Sequence, residues 1–341
     1  MKKIFLIILA AAVAVFPLSG CGGSTSSSVA SEKGTSRLNI VATIYPQYDF
    51  AREITGGSAN VTMLLPPGAE SHTYEPAPQD IIAIQNCDLF IYNGGESDVW
   101  INDILDSMGN KAPKTLKLMD CVTTVEEETV EGMESEHEHE DANSGDHDRE
   151  DDKDHAHEDA DHEHEEVEYD EHVWTSPANA IKIVRSMTEA IAALDSANAE
   201  SYAQNAEAYI QKLTALDTDF AEVVKTAARK TIIVGDRFPF RYLADEFGLD
   251  YYAAFSGCSS ETEASAATVA FLTDKVKAEG IPAVLYIEFS NHKIADSIAE
   301  ATGAKTLLLH SCHNVTKDEM QSVSYLSLMQ QNVETLRQAL N

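Results

Sequence analysis

One uninterrupted helical segment decides the fold of this chain: residues 199–228 read AESYAQNAEAYIQKLTALDTDFAEVVKTAA. The segment contains neither glycine nor proline, and its apolar residues recur at steps of three, four or seven, as one stripe of a single helix requires. At about 1.5 Å per residue the helix is roughly 45 Å long, enough to connect two lobes stiffly. A coiled-coil dimer is the alternative, but it needs flanking charge pairs over more heptads. The stripe consists of Tyr202, Tyr209, Leu213, Leu216, Phe220, Val223 and Ala227.

Short apolar runs alternate with helical patterns on both sides of this segment. Such alternation predicts βα units and mostly parallel sheets. We therefore expect an α/β fold with an N-terminal lobe over residues 37–198, a connecting helix over 199–228 and a C-terminal lobe over 229–341. Strands are expected at Leu38–Ile44, Val61–Leu65, Leu89–Asn93, Thr231–Gly235, Ala283–Phe289 and Thr306–Leu309. Helices are expected at Gln47–Ile54, Gln79–Gln85, Asp98–Met108, Glu263–Glu279, Lys293–Thr302 and Lys317–Leu340.

The chain is strongly acidic, with a formal net charge of -33 over 341 residues. Nucleic acid is excluded as a partner, because its phosphates demand a basic surface. Most of the charge lies between Glu126 and Glu171, where 24 acidic residues stand against two basic ones. Residues 126–169 have almost no apolar periodicity, so we expect a disordered acidic insertion within the first lobe.

Seven of the twelve histidines fall in this insertion, in His-Glu-His and His-Ala-His patterns. Imidazole is the commonest metal ligand, and a low-complexity segment can wrap several around an ion. We expect an auxiliary loop that binds metal weakly, with a merely solvated acidic loop as the alternative. The residues are His137, His139, His147, His155, His157, His162 and His164.

The N-terminus has the features of a secretory signal. Lys2 and Lys3 precede an apolar run that is too short for a membrane-spanning helix. The run leads to Leu-Ser-Gly-Cys21, which resembles the bacterial lipobox, whose cysteine is acylated. We expect a signal peptide over residues 1–21, a lipid on Cys21 and a flexible tether over 22–36.

The other four cysteines are even in number, which in an exported protein suggests two disulfides. Three pairings are possible, and the simplest is local: Cys87 with Cys121, and Cys258 with Cys312. No Cys-x-x-Cys motif occurs, so a thiolate zinc site is not expected.

Three histidines outside the insertion stand in contexts that suggest ligation. His72 lies in PPGAESHTYEP, residues 66–76, and His172 lies in DEHVWTSP, residues 170–177. His310 ends an apolar run in a Leu-His-Ser-Cys-His segment. Polar groups at the carboxyl ends of strands in α/β sheets point into the ligand crevice.

These two longer motifs resemble the histidine motifs of cluster A-I (ZnuA-like) solute-binding proteins, the metal receptors of zinc and manganese ABC importers. The resemblance spans essentially the whole mature chain, including the long helix and an acidic His-rich loop before the second motif. It implies two α/β lobes with one metal ion in the cleft between them. It also implies His72 and His172 as the ligands from the first lobe.

The second lobe departs from the family pattern. Where the family usually supplies a third histidine, this chain has Arg237, and a protonated guanidinium has no lone pair to give. The family's last ligand is commonly an aspartate at the end of a late strand, and we assign that place to His310. The expected set is therefore His72, His172 and His310. The fourth position is open to His313, Asp236, water or a histidine of the insertion.

Three imidazoles suit Zn²⁺, whereas Mn²⁺ prefers carboxylates and water. The expected protein is a monomeric, lipid-anchored extracytoplasmic receptor that delivers Zn(II) to an ABC permease with its cytoplasmic ATPase. A manganese receptor and a surface metal buffer or adhesin are the alternatives. A hydrolytic zinc enzyme is disfavoured, because there is no His-Glu-x-x-His and no evident general base beside the ligands. Glu75 and Asp170 are candidates for that base, but a role in orienting the histidines explains them as well.

Overall fold

The computed structural model describes residues 37–134, 168–259, 261 and 263–341, and this part of the chain contains two four-stranded parallel sheets. The first has the order β2-β1-β3-β4 and the second the order β6-β5-β7-β8. The predicted α/β architecture with two parallel-sheet lobes is confirmed. The first sheet consists of β1 (Asn39–Ala42), β2 (Asn60–Met63), β3 (Leu89–Tyr92) and β4 (Lys114–Lys117). The second consists of β5 (Thr231–Arg237), β6 (Asp250–Phe255), β7 (Ala283–Tyr286) and β8 (Lys305–Leu308).

Helices connect the strands within each lobe and join the lobes. The first lobe contains α1 (Tyr45–Thr55), α2 (Pro78–Asn86), α3 (Val99–Met108) and α4 (Pro177–Leu194). The connecting helix is α5 (Ala199–Thr226). The second part of the chain contains α6 (Arg241–Phe247), α7 (Ala266–Glu279), α8 (Lys293–Thr302) and α9 (Tyr325–Ala339).

The connecting helix α5 contacts both lobes, as its apolar stripe suggested. It has 28 residues and is about 42 Å long at about 1.5 Å per residue. Near its start, the Asn205 side chain donates to the carbonyl of Ile54 in α1 at 3.1 Å. Near its end, the Phe220 ring stacks on Phe247 of α6 with centroids 5.4 Å apart. A rigid element therefore fixes the spacing of the two sheets.

The C-terminal helix α9 also joins the lobes, although it follows the second sheet in sequence. Its first residue, Tyr325, is fully buried and packs edge-on against Phe50 of α1 at 4.8 Å. The Tyr325 hydroxyl donates to the carbonyl of Trp174 at 2.6 Å. The prediction placed the start of this helix at Lys317, but the Ser324 side chain caps it by accepting from the Ser327 N–H.

Two strands, β4 and β6, and two helices, α4 and α6, have no counterpart among the bounds expected from the sequence. Strand β4 has the sequence KTLK and lies at the edge of its sheet with exposed residues, so no apolar run marks it. Strand β6 also lies at an edge, and α6 has only seven residues. These three elements have only four, six and seven residues, too few to show a clear periodic pattern.

The first and last residues of the predicted acidic insertion belong to the fold. Glu126 and Tyr169 form an antiparallel bridge that closes its base. Between them, Met133 packs into the core, and the Glu134 N–H donates to the Ala254 carbonyl at the end of β6 at 3.0 Å. Residues 126–134 and 168–169 are thus part of the fold, because their few apolar side chains find core contacts. The seven histidines from His137 to His164 lie outside the described residues, as do Cys21 and the tether. Within the described ranges, no helix combines the length and apolar character needed to traverse a lipid bilayer.

The two predicted disulfides are absent, since Cys87, Cys121, Cys258 and Cys312 are all free thiols. The Cys312 sulfur lies 3.7 Å from the His310 carbonyl oxygen and is fully buried. The Cys258 sulfur instead lies beside the Glu171 carboxylate and the His172 ring. Burial raises the pKa of both thiols. The cysteines of the first lobe donate to carbonyls near them in sequence, Cys87 to Ile84 and Cys121 to Lys117.

Candidate metal centre

The loop after β2 carries His72 and is held against the second lobe. The Asn314 side chain donates to the carbonyls of Pro66 at 2.7 Å and Ala69 at 2.9 Å. Gly68, whose φ of 83° suits a residue without a Cβ, donates its N–H to Val315 at 2.9 Å. The loop that presents His72 therefore depends on the segment that follows β8.

The His72 ring is oriented through its Nδ1 atom. This nitrogen lies 3.0 Å from the Ser97 hydroxyl and 3.4 Å from an oxygen of the Glu171 carboxylate. Ser97 also donates its hydroxyl and its N–H to Glu171. The arrangement leaves the Nε2 edge of the His72 ring for another partner.

His172 is fully buried just before α4 and is oriented by Asp170. One Asp170 oxygen accepts from the His172 N–H at 2.8 Å and lies 3.1 Å from its Nδ1. The segment is fixed by Asn93 at the end of β3, which donates to the Glu171 carbonyl at 2.7 Å, and by the Tyr242 hydroxyl, which donates to the Asp170 carbonyl at 2.7 Å. The described part of the chain offers no partner for the His172 Nε2 atom.

His313 comes from the second lobe, five residues after the end of β8. Its Nδ1 lies 2.6 Å from the Ser311 hydroxyl, which donates to an oxygen of Glu288 at 2.6 Å. Because that hydroxyl donates to the carboxylate, it accepts from His313 Nδ1–H. The proton is thereby fixed on Nδ1, and the lone pair is left on Nε2. The buried Nε2 of His313 has no partner in the described residues.

The three imidazoles form one compact cluster, with a ligand atom from each within 4.8 Å of the others. The ring centroids are 5.7 Å apart for His72 and His172, 5.1 Å for His72 and His313, and 4.8 Å for His172 and His313. Trp174 closes one side and donates its indole N–H to the Ser311 carbonyl at 2.8 Å. Imidazoles whose Nδ1 atoms are held by oxygen partners are the usual form of histidine metal ligands.

The electrostatics keep two of the three rings neutral. Burial, together with the charges of His172 and Arg237, lowers the pKa of His72 to about 3. Burial and the same neighbours, with His72 and His310, hold the pKa of His313 well below its usual range. Burial alone would lower the pKa of His172, but the Asp170 carboxylate outweighs it and raises that pKa.

His310, the expected ligand from the second lobe, lies outside this cluster. Its Nδ1 accepts from the Cys312 N–H at 2.9 Å and lies 3.5 Å from the Glu288 carboxylate. Its main chain exchanges hydrogen bonds with the Asn332 side chain of α9. Cys312 has a φ of 66°, and the turn that this conformation creates brings His313 to the cleft instead. In the described structure His313 therefore takes the place that we had assigned to His310.

The remaining expectations concern β5. Asp236 does not join the imidazoles, since one of its oxygens accepts from the Arg237 N–H at 2.9 Å and its side chain borders a separate cavity with Ser290 and Asn291. Arg237 lies where the family resemblance places a histidine, and its guanidinium donates to both carboxylate oxygens of Glu70, at 3.1 and 2.9 Å. The expectation that Arg237 is no ligand agrees with this pairing.

Three supporting residues were missed by sequence reasoning: Ser97, Glu288 and Ser311. Asp170, which the sequence offered as a residue that orients a histidine, contacts His172 Nδ1. Glu288 and Ser311 follow β7 and β8, and only the parallel pairing of these strands brings them together. A second group of metal-ligand atoms within 4.8 Å consists of Glu171, His172 and Cys258.

Two α/β lobes joined by a long helix, with imidazoles from both lobes converging between them, define a two-lobed metal-binding protein. The chain belongs to the ZnuA family, described as zinc-uptake complex component A, periplasmic, whose model matches residues 40–339. The family resemblance inferred from the histidine motifs is thus confirmed.

Known relatives agree with this assignment. The chain is 34% identical over 339 residues to the zinc-binding lipoprotein AdcA of Streptococcus pneumoniae serotype 4 (strain TIGR4). This match covers 99% of the chain but only 61% of the length of AdcA. It is also 34% identical to the high-affinity zinc uptake system protein ZnuA of Bacillus subtilis (strain 168), covering 95% of this chain and 93% of that protein.

Solved structures show the same fold. The Zn(II)-bound ZnuA-like domain of Streptococcus pneumoniae AdcA superposes with a TM-score of 0.69 at 30% identity, covering 89% of this chain and 99% of that domain. The metal-dependent lipoprotein YcdH of Bacillus subtilis superposes with a TM-score of 0.70 at 30% identity, covering 89% of this chain and 99% of YcdH.

Proposed function

We propose that this protein is an extracytoplasmic receptor that binds one Zn(II) ion through His72, His172 and His313 and delivers it to the permease of an ABC importer. The observation that carries the proposal is the pair of buried Nε2 atoms, on His172 and His313, that have no partner among the described residues. A buried polar atom without a hydrogen bond is costly, and a bound cation would satisfy both.

The donor set favours zinc. Three nitrogen ligands suit Zn²⁺, which is commonly tetrahedral, whereas Mn²⁺ prefers oxygen. Water would complete the coordination in the cleft bordered by Glu70, His72 and His313. The names of the relatives, which refer to zinc binding and zinc uptake, point to the same cargo.

Capture and release would follow from the position of the site between the lobes. His72 and His172 come from the first lobe, and His313 comes from the second. Trp174 and Asn314 tie the two ligand segments together by hydrogen bonds to Ser311, Pro66 and Ala69. Separation of the lobes would remove one of three ligands and so release the ion to a permease. Binding of this kind requires no catalytic group, and we propose a receptor rather than an enzyme.

The rest of the proposal concerns the N-terminus, the acidic insertion and the oligomeric state. A lipid on Cys21 would anchor the receptor to the outer face of the cell membrane, next to a permease served by a cytoplasmic ATPase. The seven histidines of the insertion would bind further zinc weakly. We propose a monomer, because the site is complete within one chain.

A metal titration of the purified chain from residue 22 tests the zinc site. Isothermal titration, with elemental analysis of the bound ion, should show one tight zinc per chain. His72→Ala should abolish the tight event. His292→Ala is the matched control, because His292 is exposed and stacks on Tyr286 outside the cluster. Equal tight binding by parent and His72→Ala would refute the site.

Delivery is tested in cells. A strain that lacks the protein should need more zinc for growth than its parent, and the full-length chain should restore the parental requirement. The His72→Ala chain, expressed at the same level, should not restore it. Full restoration by that variant would separate the protein from zinc import.

A further inference from the structure

Three glutamates lie beside the imidazole cluster, and two of them are held by serines. Glu171 accepts from the hydroxyl and N–H of Ser97, and Glu288 accepts from the hydroxyl and N–H of Ser311. These donors are neutral groups. Glu70 is paired with a cation, the guanidinium of Arg237.

The Glu70–Arg237 pair spans the two lobes and is largely shielded from water. The Arg237 side chain is 12% exposed and that of Glu70 is 33% exposed. Both guanidinium NH₂ groups are engaged, each with one Glu70 oxygen, and Nη1 also lies 3.5 Å from the Ser259 carbonyl. Two parallel bonds of this type give an ion pair a fixed geometry.

Glu70 is placed where it could reach a bound ion. It stands two residues before His72 in the same loop and borders the same cleft as His72, His313 and Arg237. Glu70 is therefore a carboxylate at the rim of the metal site, and both of its oxygens accept hydrogen bonds from Arg237.

We propose that Arg237 is a specificity-determining residue: by holding both oxygens of Glu70, it withholds a carboxylate from the bound ion and keeps the donor set to imidazole nitrogen. This inference rests on the proposed zinc site. Its chemical consequence is selectivity, because a carboxylate ligand would favour Mn²⁺ relative to Zn²⁺. Arg237 thus excludes an oxygen ligand without itself contacting the ion.

The same ion pair could instead do no more than tie the lobes together. Loss of the pair would then weaken the binding of Zn²⁺ and the binding of Mn²⁺ by the same factor. Loss of the positive charge near the cleft would likewise change the affinity for both divalent ions alike. Both effects cancel in the ratio of the zinc affinity to the manganese affinity. A change in this ratio therefore reports a change in the atoms that ligate the ion.

The experiment measures Zn²⁺ and Mn²⁺ affinities by chelator competition for the parent, Arg237→Gln, Glu70→Gln and the double variant Glu70→Gln/Arg237→Gln. Arg237→Gln should shift the ratio toward manganese by about tenfold, because Glu70 becomes free to ligate. Glu70→Gln alone should leave the ratio unchanged. The double variant should return to the parental ratio, because the freed side chain is no longer a carboxylate.

A second measurement reports directly on the atoms that coordinate the ion. Visible absorption of the Co²⁺-loaded protein should change in Arg237→Gln and revert in the double variant. Arg237→Lys keeps the cation but loses the two-pronged geometry, and it should give an intermediate ratio, which also serves if Arg237→Gln does not fold.

An unchanged ratio in Arg237→Gln, or a shift that persists in the double variant, would overturn the proposal. Either result would leave the zinc receptor intact, since that function fails only if the parent does not bind zinc or if His72→Ala still binds it tightly.

Discussion

The two sides of the metal site are built in different ways. On the first-lobe side, His172 and the carboxylate that orients it, Asp170, stand in one short motif. On the second-lobe side, the serine beside His313 is itself held by Glu288, and these residues follow two different strands, β8 and β7, while Arg237 ends a third, β5. A site assembled within one short motif can be recognised from the sequence. A site assembled from several strand ends can be recognised only once the strand order of the sheet is known.

The two sides also differ in electrostatics. Asp170 places a carboxylate directly on His172 and raises its pKa. His313 contacts the neutral hydroxyl of Ser311, and its pKa is held well below the usual range by burial and by neighbouring cations. His172 should therefore depend more on its support than His313 does, and it should bind protons more readily than His313 or His72, whose pKa values are both lowered.

Among the residues that support the ligands, the largest expected effect concerns Asp170. Asp170→Asn should weaken zinc binding by about 100-fold, the upper end of the range for partners of metal-bound histidines, because it removes the charge that orients His172. Zinc titration by chelator competition measures the change. Asp274→Asn, at an exposed position on α7, is the control and should bind like the parent. A change below threefold for Asp170→Asn would show that its carboxylate does not support the ligand.

The pH dependence should show the same asymmetry. Zinc needs a free lone pair on each Nε2, and His72 and His313 already have one because their pKa values are lowered. His172, whose pKa is raised above 6.5, must lose a proton. Apparent affinity should therefore fall by about tenfold per pH unit below the pKa of His172, a slope of one proton.

Titrations between pH 5 and 8 in buffers of different ionisation enthalpy measure the protons released. In Asp170→Asn the onset of the fall should move to lower pH. A slope of two or three protons would mean that His72 or His313 is also protonated before zinc binds.

A smaller effect is expected for the hydrogen bonds that connect Glu288, Ser311 and His313 on the second-lobe side. Ser311→Ala should weaken zinc binding by about tenfold, because His313 loses the hydroxyl that fixes its proton on Nδ1. The control is Ser322→Ala, an exposed serine whose hydroxyl bonds only to local carbonyls. A loss as large as that of Asp170→Asn would remove the proposed difference between the two sides.

The smallest effect on the tight site is expected from the insertion. Replacing residues 135–167 with a Gly-Ser linker should leave the tight zinc event unchanged and remove any weak events, because the three clustered imidazoles all lie outside that segment. The stoichiometry of zinc binding by elemental analysis checks this. Loss of the tight event would mean that the insertion supplies an essential ligand.

The fold was predictable from sequence to a large extent. The connecting helix and six of the strands carry apolar patterns strong enough to locate them. Strands β4 and β6 and helix α6 were not predicted, because segments of four to seven residues are too short to show a clear periodic pattern. The disulfides were inferred from an even cysteine count, which says nothing about where each thiol points.

The site was predictable on one side. His72 and His172 stand in distinctive motifs, and the structure brings them together. The choice between His310 and His313 could not be made from sequence, because it depends on the left-handed conformation of Cys312, a residue that rarely adopts it. That single turn decides which imidazole faces the first lobe.

The most direct test of the account compares His313→Ala with His310→Ala. Both residues are buried and lie three positions apart, so each variant removes an imidazole of the same size from the same segment. If His313 is the ligand, isothermal titration of His313→Ala should show zinc binding weakened by about 200-fold, since one of three protein ligands contributes about a third of the roughly 10 kcal/mol of a structural zinc site. His310→Ala should stay within about tenfold of the parent, since its ring bonds only to nearby groups outside the cluster. Parental affinity in His313→Ala, together with a large loss in His310→Ala, would contradict the account.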